Sequence, residues 1–264
     1  MTTPGADTWE IKFEQILRGI SDDIEEAHRL TVELANGLTG VWHALPPGVG
    51  FVVRRAWKDY LELKDEIFRI VHDILTSPGY PPALFRVGEY WQLRVGAKVS
   101  ELHQAVSAYG MQADDLWTGP AASAYKDSAE AQSRAVGAIK PCTDMIQDVL
   151  SDLGWALIAF WVAIAAAVAT FIIGLISAAG LVVGVVTAPA APEVAAGAAL
   201  ASIELIIAAV VALTAYMTVI RSSTTSIRQS LEDSTGLVKQ GDTWGWPPMS
   251  GLTAADGLWR PWGD

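Results

Sequence analysis

Cysteine is almost absent. Cys142 is the only one in 264 residues, so no intramolecular disulfide can form and a Cys-based zinc site has no ligands. It reads as a small apolar residue of a core. Histidine is nearly as scarce: His28, His43, His72 and His103 fall on four separate segments. Glu25-x-x-His28 has the spacing of one half of a di-metal carboxylate site, but such a site needs a second Glu-x-x-His, and the chain has none. Neither a Gly-rich phosphate loop nor a nucleophile elbow occurs. The expectation is a protein that is not an enzyme, with no metal, no cofactor and no small-molecule substrate.

Positive charge is the other shortage. Lys and Arg number 18 against 29 Asp and Glu, a net charge of -11. Residues 1–154 hold 14 basic and 22 acidic side chains, which leaves no clustered cationic face for phosphates and argues against a nucleic-acid partner. From Trp155 to Ile220 there is no Lys or Arg in 66 residues, and the only acids are Glu193 and Glu204. The first ten residues have neither a basic nor an apolar region of the kind a cleavable secretory signal needs.

What the chain does have is helical periodicity. In segment 1–80, Trp9, Phe13, Ile16, Ile20, Ile24, Ala27, Leu34 and Leu38 recur near every 3.6 residues, with Asp22, Asp23, Glu25, Glu26 and Arg29 opposite. Gly37 and Gly40 are expected to end that helix, and Pro46-Pro47-Gly48 to form a loop. A second amphipathic helix follows, carrying Val53, Trp57, Tyr60, Ile67 and Val71, and Ser77-Pro78-Gly79 stops it. Segment 81–153 steps by three or four through Val87, Trp91, Val95, Val99, Leu102 and Val106. It breaks at Trp117-Thr118-Gly119-Pro120 and resumes with Tyr125, Ala129, Val136, Ile146 and Val149. Gly119 can take the positive φ of a sharp reversal, and Pro120 suits the first turn of a helix. Pro141 should kink the second leg or end it near Ala138.

Segment 154–221 is the apolar block. Helices over 155–188 and 194–220 would be about 50 Å and about 40 Å long, both longer than the ~30 Å hydrocarbon core of a bilayer. Gly174, Gly180 and Gly184 among many Ala favour close helix approach, and the short link through Pro189 and Pro192 predicts an antiparallel hairpin. Left in water, such a pair would show an apolar patch well above the few hundred Å² usual for a monomer, so lipid or protein must cover it. Glu204 is the acid inside this run, with a structural or interfacial role set against a pore-lining one. Segment 222–264 begins as a polar helix end and closes in an irregular tail with Trp244, Trp246, Trp259 and Trp262, docked on the protein's own helices or on a membrane or partner. The fold expected is all-α: antiparallel helical hairpins in an elongated bundle, one hairpin apolar enough to cross a membrane.

The stretch from Ala108 to Tyr125, with Trp117-x-Gly119 at a bend and an aromatic six residues after the glycine, resembles the WXG family of type VII (ESX) secretion substrates. The whole layout is also similar to a group of extended actinobacterial WXG-like proteins. That resemblance implies a helical hairpin at 81–153, packing at the bend by Trp117, Gly119 and Tyr125, and pairing with a second helical hairpin, from another protein or from a second copy. It further implies export to the cell envelope or beyond. The Tyr-x-x-x-Asp/Glu signal of that family is missing, since Tyr60, Tyr80, Tyr90, Tyr109, Tyr125 and Tyr216 are followed four residues on by Lys64, Leu84, Arg94, Ala113, Ala129 and Ile220. Export would then need a signal-bearing partner.

Three functional readings stand at this level: a WXG-like interaction protein of type VII secretion, a resident two-span membrane protein, and a pore-forming or toxin-delivery module. If the hairpin spans a membrane, Lys126, Arg134 and Lys140 before it and Arg221 and Arg228 after it place both ends on the cytoplasmic side.

Overall fold

The computed structural model describes residues 6–107, 118–184, 186–234 and 236–246. It is an all-α bundle with one short strand pair. The chain forms two compact units, one from Met1–Ala83 with Leu153–Thr218 and the other from Leu84–Asp152 with Val219–Asp264.

The first unit joins the two amphipathic helices to the apolar hairpin. Helix α1 spans Ala6–Val41 and α2 spans Pro47–Leu75, linked by a 3-10 turn at Trp42–Ala44. The apolar stretches belong to two longer helices, α6 (Ile139–Leu181) and α7 (Ala191–Glu232). Their buried positions keep a seven-residue rhythm: Phe13, Ile20, Ala27, Leu34 on α1; Val53, Tyr60, Ile67 on α2; Trp161, Val168, Leu175 on α6, with Val182 just past its end. On α7 the series is Ala195, Ala199, Ser202, Ile206 and Ala209. Such a rhythm lets side chains interlock between nearly aligned helices, as in a four-helix bundle. Rings fill the centre, with Phe13 edge-on to Trp161 at 6.2 Å and Tyr60 tilted on Phe171 at 6.4 Å. Ion pairs such as Glu14–Arg18 and Lys58–Glu62 line the outer faces of α1 and α2, where salt screens them and they add little stability.

Within the hairpin, Gly174 lies against Ala198, and Ser202 Oγ donates to the Ala167 carbonyl at 2.9 Å. The two pairings run in opposite order along the chain, so α6 and α7 are antiparallel. Three boundaries differ from the sequence expectation. Helix α1 continues through Gly37 and Gly40, and Gly37 sits against Val182, so tertiary packing outweighs the low helix propensity of glycine. Helix α6 starts at Ile139 rather than Trp155, because the polar and apolar stretches share one uninterrupted helical backbone. The reversal follows Leu181 and includes a 3-10 turn at Ala188–Ala190, and Pro192 is in the first turn of α7, where its missing N–H costs nothing.

In the second unit, α3 (Pro81–Tyr90), a π-helical turn (Trp91–Gly96) and α4 (Ala97–Val106) form one leg. The other leg is α5 (Pro120–Gly137) and the start of α6. Gly88 faces Gln147, Gly96 faces Thr143 and His103 faces Ser133, an antiparallel pairing. The extra residue of the π turn shifts the phase of the apolar stripe. Val87, Leu93 and Leu102 are exposed, and Val87 and Leu102 do not join one buried face as their spacing predicts. The second leg breaks at Ala138, three residues before Pro141. Part of the tail is regular after all: β1 (Val238–Gln240) and β2 (Thr243–Gly245) pair antiparallel, with Lys239 opposite Trp244. A positive φ of 63° at Gly241 closes this hairpin.

Candidate functional site

The most distinctive surface is the outer side of the apolar hairpin. Helices in a four-helix bundle bury only the stripe that meets their neighbours, and the charged outer faces of α1 and α2 follow that rule. The outer faces of α6 and α7 do not. Val162, Ile173 and Ile176 on α6, and Leu200, Leu205, Ile207, Val210 and Val211 on α7, are exposed. Both helices are long and apolar enough to cross a membrane. Trp155 to Leu181 and Ala191 to Ile220 correspond to about 40 Å and about 45 Å of helix.

Glu204 is exposed on this face, one turn from Leu200 and Ile207. The other acid of the block, Glu193, is also exposed. It lines an open cavity of about 330 Å³ with Val52, Arg55, Ala56 and Asp59 of α2 and Ala196.

The Trp-x-Gly corner is partly described. Trp117 lies outside the described residues. Gly119 has φ 109° and ψ 178°, a conformation strongly favouring glycine. Its carbonyl accepts the first α5 bond, from Ser123 N at 3.1 Å, and Pro120 is the first helical residue. Tyr125 is half-buried on the first turns of α5. The legs are tied by a contact that sequence reasoning missed: the His103 ring Nδ1 lies 2.8 Å from the Ser133 carbonyl and 3.0 Å from Ser133 Oγ. Ser133 is itself buried. Counting outward in both directions from the corner would have placed these residues opposite each other. Of the tail tryptophans, Trp244 and Trp246 are largely exposed, while Trp259 and Trp262 lie outside the described residues.

Burial pushes the Tyr60 hydroxyl up to about 12, and Thr31, hydrogen-bonded to it, opposes that shift. Asp23 is raised by partial desolvation, then by Asp22 and Glu26. Glu26 is lowered, chiefly by the hydrogen bond it accepts from Arg29. Among the described residues no three His, Cys, Asp or Glu side chains gather as a metal site would, and Glu25 and His28 both point to solvent.

No protein-family model matches the chain, and no curated protein or solved structure does either.

Proposed function

We propose that the protein is a helical interaction protein that works at a membrane, with its apolar hairpin moving from the cover of α1 and α2 into a bilayer. The observation that carries this reading is the outer face of α6 and α7. A buried core helix has no reason to be apolar on the side that faces water, whereas a helix with two alternative environments does. Lipid would satisfy both faces at once. The densely charged outer sides of α1 and α2 cannot follow into hydrocarbon, so insertion requires the hairpin to part from them.

The same proposal places the protein among WXG-like partners of type VII secretion. Gly119 at φ 109° before a helix-starting Pro120, between two antiparallel legs, supports that reading. So do the exposed Val87, Leu93 and Leu102, which leave apolar surface for a second helical hairpin. A pore-forming role is the second reading, favoured by Glu204 on the lipid-facing side of α7.

A cross-link tests the membrane step. A Cβ added at Gly37 would lie 3.2 Å from the Val182 Cβ, close to disulfide geometry. In a Cys142→Ala background, Gly37→Cys with Val182→Cys should hold the hairpin against α1. The oxidised protein is expected to stay carbonate-extractable from liposomes, and the reduced protein to become carbonate-resistant and protease-protected over α6 and α7. Equal extraction in both states would sink the insertion reading. Persistence in the culture supernatant after deletion of the secretion ATPase would sink the type VII assignment.

A further inference from the structure

One end of the first unit gathers features that neither the hairpin sides nor the Trp-x-Gly corner explains. The turn at Ala188–Ala190 packs on α2, and Gly37 of α1 meets Val182, the residue after α6. The link between α1 and α2 and the tip of the apolar hairpin are therefore neighbours. Val183 and Val186 at that tip are 89% and 93% exposed, and Phe51, in the first turns of α2, is 72% exposed. A folded protein in water gains nothing from holding three such side chains out at one end. Basic groups lie just behind. Arg54 and Arg55 are exposed, and the Arg54 guanidinium stacks 4.9 Å from the centre of the Trp42 ring. Trp42, Leu45, Pro46, Gly50, Phe51 and Arg54 enclose an open cavity of about 310 Å³.

Charge sets this end apart. In a chain of net charge -11, residues 34–58 contain no acid and residues 153–192 contain none either. Glu193 and Asp59 lie beside Arg55 around the other α2 cavity. Apolar tips, an indole and exposed guanidinium groups, Arg54 with no acid beside it in its cavity and Arg55 with two, are the components of an interfacial lipid anchor: the tips enter the acyl boundary, Trp sits at headgroup depth and Arg pairs with lipid phosphates.

Resting on the membrane reading above, we propose that this end of the unit docks on an anionic bilayer surface before the hairpin inserts, with Phe51, Val183 and Val186 as the apolar contacts and Arg54 and Arg55 as the headgroup contacts.

The oxidised Gly37→Cys, Val182→Cys protein isolates docking from insertion, because its hairpin cannot leave. It is expected to co-sediment with phosphatidylglycerol-rich vesicles, to bind pure phosphatidylcholine vesicles far more weakly, and to be released by salt. Arg54→Gln and Arg55→Gln should each weaken binding about fivefold. Phe51→Ser should weaken it further, and so should Val183→Ser with Val186→Ser, which lie on a different segment and test the same surface if the Phe51 change disturbs its corner. Equal binding to both vesicle types, or binding unmoved by all these substitutions, overturns the docking. A dimer in light scattering that Phe51→Ser dissolves would also overturn it, by giving the surface to a second copy. If the locked protein docks but the reduced protein never becomes protease-protected, docking stands and insertion fails. If the reduced protein inserts and the corner variants change nothing, insertion stands and docking fails.

Discussion

Tyr60 shows how one buried hydroxyl ties stability to pH. Its ring is fully enclosed, its hydroxyl meets Thr31, and its folded-state pKa is raised to about 12 from 10. Below pH 10 the phenol is protonated in both folded and unfolded chains, so its contribution is fully present. Between pH 10 and 12 only the unfolded chain ionises, and stability is lost. Tyr60→Phe should flatten that alkaline loss in denaturant titrations. At neutral pH it should cost about 1 kcal/mol, the usual worth of one hydrogen bond, because Thr31 still donates to the Ala27 carbonyl. The conformation of Gly119 is legible in the sequence, since Trp-x-Gly-Pro between two periodic stretches leaves little else for the glycine to do. The surroundings of Glu204 are not legible, because a helix apolar all round does not say which side its neighbours take.

At the scale of elements, the seam between α6 and α7 depends on small side chains. A Cβ at Gly174 would collide with Ala198, so Gly174→Val should force the helices apart and lower stability by about 1–3 kcal/mol, read as a fall in the thermal midpoint. Gly180, on the same helix, has open space around it, and Gly180→Ala should be neutral or slightly stabilising. If the two substitutions behave alike, close approach is not what holds the hairpin. Helix existence was legible here, because periodic stretches of 10 or more residues leave no rival. Helix boundaries were less so. The run of α1 through Gly37 depends on Val182, well over a hundred residues away, and the π turn at Trp91–Gly96 fits Gly96 against Thr143, a contact no local signal announces.

For the molecule as a whole, the two faces of the hairpin let folding and the proposed membrane insertion be tested separately. Val211 is exposed on the outer side of α7, so Val211→Lys should change the stability of the folded bundle by no more than about 0.5 kcal/mol. In a bilayer the same lysine near the middle of the span costs about 2.5–3.5 kcal/mol, and carbonate-resistant binding should fall sharply. Retained binding with a lost fold would reverse that assignment of faces. The all-α class follows from composition and period. That the first amphipathic pair packs with the apolar block in one compact unit could not be read in advance, since every one of these helices offers an apolar stripe of the same rhythm.

Chain order gives this arrangement a consequence for biosynthesis. Helices α1 and α2 are complete by Leu75, and the stretch they shelter begins at Leu153. Translation proceeds from the N-terminus, so the shelter leaves the ribosome some 80 residues ahead of its ward. Each apolar turn then emerges beside a surface already able to receive it, so the nascent chain can bury that stretch as it appears.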